Sequence, residues 1–285
     1  MSVQDLVATE QARGGFYPTP PGMSEKLLAG IDWDMIQNVL EPSAGKGNIV
    51  RAVAEKYEIC RRYGGHKINI DCVEIDPYLR SIIQYEFGGQ RGCEVNNRLE
   101  QLREKQRYDH RNECRGELTS EEQREERILT AEQRILDSLV LHIVHDDFLS
   151  FDSRKHYDLN PPFADGDAHL LKAIELQRRS GGMIRCILNA ETIRNPYTNR
   201  RRFLVRKLQE LEAEIKYAKG AFSDSERNTD VEVAIIVINI PVPKRESTIF
   251  DRLRRAAQVD EPTQDDVTEM TVADFMGQIV SRFNV

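Results

Sequence analysis

The chain has 285 residues, 40% hydrophobic and 31% charged, and a formal net charge of −7 at pH 7. That length buries the core of one large α/β domain or two small ones. The acidic balance excludes a broadly basic nucleic-acid binder, so any such binding must use a local basic patch. No apolar run is long enough to span a bilayer. The start, Met1-Ser2-Val3-Gln4-Asp5, lacks the basic and apolar parts of a signal peptide, and a cytoplasmic protein without membrane contact is expected. The five cysteines are scattered and never form a Cys-x-x-Cys pair, which argues for reduced thiols over a zinc ribbon or a disulfide framework. His66, His142, His145, His156 and His169 show no metal-ligand spacing, and no metal is expected.

Strand-length apolar runs alternate with helical patterns, the mark of a parallel sheet with crossover helices. Val39-Leu40-Glu41 ends a first strand and enters Pro42-Ser43-Ala44-Gly45-Lys46-Gly47, followed by a helix carrying Ile49, Val50 and Val53. Glycines in such a turn let the backbone approach a ligand, and the helix start favours a carboxylate or phosphate. It is not a P-loop, because no Gly lies five residues before Gly45-Lys46 and no Ser or Thr follows. A second strand, 68–74, delivers Glu74 at its C-terminal end, where a carboxylate commonly meets ribose hydroxyls. From about 97 to 137 the chain is dense in charges of both signs. Thr119-Ser120-Glu121-Glu122 and Thr130-Ala131-Glu132-Gln133 there have the form of capping boxes. A charged helical insert is expected, serving as a solvated arm or an oligomer contact.

A third strand, Leu141-His142-Ile143-Val144, runs into Asp146-Asp147-Phe148. One acid after a strand is more often a solvated loop residue than a ligand. A glycine turn, an acid after strand two and an acid after strand three, in that order, specify a nucleoside-bearing cofactor. Tyr157-Asp158-Leu159 then leads into Asn160-Pro161-Pro162-Phe163, which in isolation reads as a proline-rich turn. Leu170, Leu171 and Ile174 mark a helix face that Gly181-Gly182 terminates. Strands follow at 183–188 and 231–240, the latter stopped by Pro241 and Pro243. Between them, Arg200, Arg201 and Arg202 open a helical stretch with Phe203, Leu204, Leu208 and Leu211. These arginines can neutralise phosphates, and a solvated helix face is an equal reading given Glu210, Glu212 and Glu214. The alternation ends at residue 243, so 1–243 is read as the main domain. The tail, 244–285, carries Val272, Phe275, Met276, Ile279 and Phe283 at helical spacing and is read as a docked helix.

Asn160-Pro161-Pro162-Phe163, with the upstream glycine turn and acids, resembles the amino-methyltransferases, and most of all the N6-adenine DNA methyltransferases. The resemblance covers roughly residues 16–241. Phe16-Tyr17-Pro18-Thr19-Pro20 resembles that family's N-terminal Thr-Pro motif, ahead of the glycine turn as in the gamma-class order. Residues 222–239 resemble its last hairpin. The resemblance implies a doubly wound, Rossmann-like, mostly parallel seven-stranded sheet and S-adenosylmethionine as cofactor. It also implies DNA as partner, with a second copy or a recognition subunit beside it. Thr19 would contact the cofactor's methionine carboxylate, and Glu41, Gly45 and Gly47 would shape the methionine pocket. Glu74 would hold the ribose hydroxyls, and Asp147 with Phe148 the cofactor adenine. Asn160 and Pro161 would accept the two N6 hydrogens of a flipped adenine, with Pro162 stiffening the turn and Phe163 stacking on the base.

One departure is visible. The family has several apolar residues between an Asp and Asn-Pro-Pro, whereas here Asp158-Leu159 leads straight into Asn160. About three residues fewer shorten the strand by roughly 10 Å. Either the tetrapeptide is drawn out of position or the neighbouring chain slides. The same motif also occurs in methyltransferases of RNA bases and of protein glutamine, and a binding protein without catalysis is the further alternative.

Overall fold

A computed structural model describes residues 21–60, 66–109, 114–160, 166–219 and 232–243. The alternation expected from the sequence is present. Helix α1 (Pro21–Leu27) precedes β1 (Asn38–Glu41), α2 (Asn48–Cys60), β2 (Ile68–Val73) and α3 (Pro77–Phe87). Then come α4 (Gln90–Lys105), α5 (Ser120–Asp137), β3 (Leu139–His145) and β4 (Leu159–Asn160). Next are α6 (Gly166–Ser180), β5 (Gly182–Asn189), α7 (Ala190–Arg194) and α8 (Asn199–Glu210). The last two strands are β6 (Glu214–Ala218) and β7 (Val233–Ile240).

These seven strands form one sheet in the order β3-β2-β1-β4-β5-β7-β6. The pairs from β3 through β5 are parallel, and β7 runs antiparallel to both β5 and β6. The chain therefore builds outward from β1 to β3, then returns to the other side of β1 with β4. The strand order reverses between β1 and β4, which is where doubly wound sheets open a crevice at their C-terminal edge.

Each face of the sheet has its own core. Val50, Val53 and Ala54 of α2 and Ile83 and Phe87 of α3 pack with Val39 and Ile70 on one side. Leu170 and Ile174 of α6 and Leu204 and Leu208 of α8 pack with Ile184, Ile236 and Ile238 on the other. Local chemistry sets the helix starts. Asp76 caps α3, accepting the Tyr78 amide at 2.8 Å, with Pro77 in the first helical turn. The Arg185 guanidinium, buried on β5, donates to the Leu27 and Ala29 carbonyls at 2.9 and 2.6 Å, ending α1 with a cation where helix carbonyls lack partners.

The sequence readings of the insert, the helix end and the last hairpin are each modified. Thr119 and Glu122 form the expected capping box at the start of α5, but Thr130 lies inside that same helix, so the second box caps nothing. The inserted helical pair begins at Gln90, after Gly89 at φ 106°, not near 97. Arg91–Glu132 and Arg98–Glu125 bridge α4 to α5 at 2.9 and 2.8 Å, with Lys105 on Glu122 as a third rung. The charges are thus spent between the two helices, in partly exposed pairs worth little each. Gly181 and Gly182, at φ 76° and 126°, end α6 as expected. The last hairpin takes its first strand from β6 at Glu214–Ala218, earlier than the 222–239 span, and residues 220–231 lie outside those described. So does the tail, 244–285.

The shortened lead-in is the fold's least ordinary feature. Strand β4 has two residues, yet Leu159 pairs with both Val39 and Met183. Side chains supply the anchoring that strand length does not. The Asp158 carboxylate accepts the Gln37 and Asn38 amides at 2.8 and 2.9 Å and a His156 contact at 2.9 Å. Tyr157 donates its hydroxyl, and Lys155 its ammonium, to the buried Asp71 of β2, both at 2.8 Å. The Asp158→Ala substitution removes the acceptor for two amides at the head of β1. It should destabilise the chain by about 1–3 kcal/mol, read as a lower urea midpoint with an unchanged m-value.

Candidate functional site

The C-terminal ends of β1, β2, β3 and β4 meet along one edge, and the sequence-predicted acids lie there. The turn after β1 is built from Gly45 and Gly47, at φ 55° and 84°, a region that only glycine enters cheaply. Close packing adds a second reason at Gly47, where a Cβ would stand 2.6 Å from the Phe87 ring of α3. Glu74 fixes this turn. One carboxylate oxygen accepts the Gly45 amide at 2.7 Å and the other the Asp76 amide at 2.9 Å, while Arg80 donates to the Glu74 carbonyl at 2.7 Å. The acid after β2 thus ties the glycine turn to the neighbouring strand, and each of its oxygens retains acceptor capacity.

Glu41, the last residue of β1, is only 1% exposed. Its Oε1 accepts the Ser43 amide at 3.2 Å, and its Oε2 is buried with no hydrogen-bond partner among the described residues. Burial pushes its carboxyl up to about 8; the Ser43 amide opposes that rise and the nearby Glu74 charge adds to it. Such a group, desolvated and half satisfied at a sheet's functional edge, is suited to receive a cation or a donor from a ligand.

Asp147 lies after β3 and is held as a local turn. Its carboxylate accepts the Leu149 amide at 2.9 Å, and this bond with those from Ser150 holds its pKa below the usual range. Phe148, expected beside the cofactor, is instead buried in the core, stacked with Phe151 and edge-on to His169. His169, given no role from sequence, reaches the Ser43 hydroxyl through Nδ1 at 3.3 Å and links α6 to the glycine turn. Nothing in its spacing could have signalled this, since Ser43 and His169 are 126 residues apart.

Asn160 ends β4, pairing with Ile184 of β5. Its backbone is level with Leu40, one residue short of Glu41, by the Val39–Leu159 register. The short lead-in therefore leaves Asn160 at the common edge, beside the strand that carries Glu41. Thr19, Pro161, Pro162 and Phe163 lie outside the described residues.

The arginine run sits on the first turn of α8. Arg200 bridges Asp167 at 2.7 Å and Arg201 approaches the same carboxylate at 3.9 Å, while Arg202 donates to Asn199 at 2.6 Å. Asp167 is the second residue of α6, so two of the three arginines are tied to the helix that follows the Asn160 segment. Among the described residues no helix is long and apolar enough to cross a membrane.

No family model matches the chain, and no curated protein matches it. Solved structures show similarity to it over most of its length. An O-methyltransferase from Bacillus cereus in complex with SAH shares 12% identity over 83% of this chain and 89% of that one, at a TM-score of 0.44. The rRNA methyltransferase aviRa from Streptomyces viridochromogenes shares 9% over 79% and 86%, at 0.45. An rRNA methylase from Streptococcus thermophilus shares 11% over 79% and 100%, at 0.41.

The Glu41 environment makes a stability prediction. Between 4.5 and about 8 the folded chain holds a proton on Glu41 that the unfolded chain has released. Stability from this group is therefore present at low pH and lost as pH rises through that window. The loss is at most roughly 5 kcal/mol at about 1.36 kcal/mol per unit. The Glu41→Gln variant should show a flatter fall and exceed the parent in stability at pH 8, measured by urea unfolding from pH 5 to 8. Parallel profiles for the two chains would rule out a raised Glu41.

Proposed function

We propose that the chain transfers a methyl group from S-adenosylmethionine to the N6 amino group of adenine in DNA. The observation that carries this reading is the gathering of Glu41, Gly45, Glu74 and the Asn160 backbone around the point where strand order reverses. Glu41 ends β1 on one side of the crevice and Asn160 ends β4 on the other. A nucleoside-bearing ligand on the β1–β2 side would then face an amino-group acceptor on the β4 side.

The residues present fit the cofactor. The buried Oε2 of Glu41, without a partner among the described residues, offers an acceptor to a cationic ligand, and the Gly45–Gly47 turn lets backbone approach it. Glu74, already braced by two amides, keeps lone pairs for ribose hydroxyls, and Asp147 is a half-buried acceptor at the next strand end, its pKa held low. S-adenosylmethionine supplies an electrophilic methyl group on a sulfonium, so no covalent enzyme intermediate is needed. The task left to the protein is to orient a weak amino nucleophile. Asn160 and the Pro161 carbonyl would each accept one N6 hydrogen, favouring a nitrogen lone pair that points out of the ring. Phe163 would stack on a base taken out of the duplex, and Arg200, Arg201 and Arg202 would meet the backbone phosphates.

Two substitutions separate binding from turnover. In Glu74→Ala the glycine turn loses its clamp, so titration calorimetry should show S-adenosylmethionine binding weakened by about 10- to 150-fold, with DNA affinity little changed. Equal loss of both would count against a ribose role. Asn160→Ala should retain cofactor binding and lose labelled methyl transfer to DNA. Labelling of RNA or protein alone by the parent chain would sink the DNA reading, and cofactor binding without transfer to any substrate would mark a binding protein.

A further inference from the structure

Tyr197 is 68% exposed, and it follows α7 in the loop that leaves the C-terminal end of β5. That end lies on the same sheet edge as Glu41 and Asn160, because β5 is parallel to β4. An aromatic ring this exposed loses hydration favourably only if something covers it. One neighbour is fixed: the Arg201 guanidinium lies over the ring, 4.6 Å from its centroid. Arg201 in turn approaches the Asp167 carboxylate, which Arg200 bridges at 2.7 Å. A continuous line thus runs from the first turn of α6, through Asp167 and Arg201, to an exposed ring. The Asp167 end follows directly on the Asn160 segment.

The surroundings say what the ring meets. Helix α8 carries five basic residues, Arg200, Arg201, Arg202, Arg206 and Lys207, against the single acid Glu210, in a chain whose net charge is −7. A local basic helix beside an exposed, cation-backed aromatic is the arrangement that holds nucleic acid by phosphates and by base stacking together. We infer that Tyr197 is a base-stacking residue for DNA, covering a base next to the one presented at Asn160. Arg201 sets its ring plane, and Asp167 positions Arg201. The inference rests on the DNA reading above and deepens it. A flipped adenine leaves neighbouring bases exposed, and a ring that covers one offsets part of the unstacking cost.

The test is fluorescence anisotropy of the full chain with labelled adenine-containing oligonucleotides: single-stranded DNA, duplex DNA and RNA of the same sequence. Tyr197→Ala should weaken DNA binding between about 5- and 150-fold, Tyr197→Trp should restore it, and S-adenosylmethionine affinity by calorimetry should stay unchanged in both. Photo-crosslinking to DNA substituted with 5-iododeoxyuridine should place the adduct on Tyr197, a readout that a merely structural role would not produce. Parental affinity in Tyr197→Ala, or adducts only elsewhere, overturns the inference. So does binding of RNA alone, or of no nucleic acid by the parent chain. DNA binding through Tyr197 without methyl transfer leaves stacking intact and overturns the catalytic reading. Methyl transfer to DNA that Tyr197→Ala does not affect overturns stacking alone.

Discussion

The two halves of the sheet are joined through two residues. Strands β3, β2 and β1 form one half and β5, β7 and β6 the other, with Leu159 and Asn160 as the whole of the strand between them. A parallel seam this short supplies few backbone bonds, so its stability must come from elsewhere. It comes from Leu159, fully buried, and from Asp158 and Tyr157, which carry polar anchors to β1 and β2. The candidate site depends on this seam directly, because β1 ends in Glu41 and β4 in Asn160. Any loosening there separates Glu41 from Asn160.

Electrostatics at that edge are arranged around carboxylates with contrasting surroundings. Glu74 accepts two backbone amides, whereas Glu41 is buried with one oxygen lacking a partner among the described residues. Burial is the main cause that makes Glu41 costly to ionise, and the nearby Glu74 charge adds to it. A cation placed beside Glu41 would lower that cost. The edge therefore keeps acceptor capacity that its own described residues do not use.

Much of this was legible in the sequence, and the remainder failed for physical reasons. The cores of β2, β3, β5 and β7 are strongly apolar, so their runs were visible with boundaries shifted by one or two residues. Strand β6 was not seen: Glu214, Lys216 and Tyr217 are exposed on an edge strand, and only Ile215 and Ala218 are half-buried, leaving too weak an alternation. The positions of Glu41 and Glu74 at strand ends were legible because each closes an apolar run. Phe148 was read with its neighbour Asp147, and the burial of its ring beside Phe151 had no signal in a two-residue motif. The Asp158 and Asp71 anchors and the Asp167–Arg200 bridge were out of reach, since each joins residues far apart in the chain.

Each half of the sheet is contiguous in sequence, the first within residues 38–145 and the second within 182–240. Loop-closure entropy then favours each half assembling by itself, leaving Leu159 and Asn160 to be captured between two preformed ledges. The expected order of folding is halves first and seam last, and the edge that carries Glu41 and Asn160 would be the final part of the molecule to exist. A chain interrupted at that stage would hold most of its core yet expose both borders of the crevice, the state in which a nascent copy is most open to pairing with another.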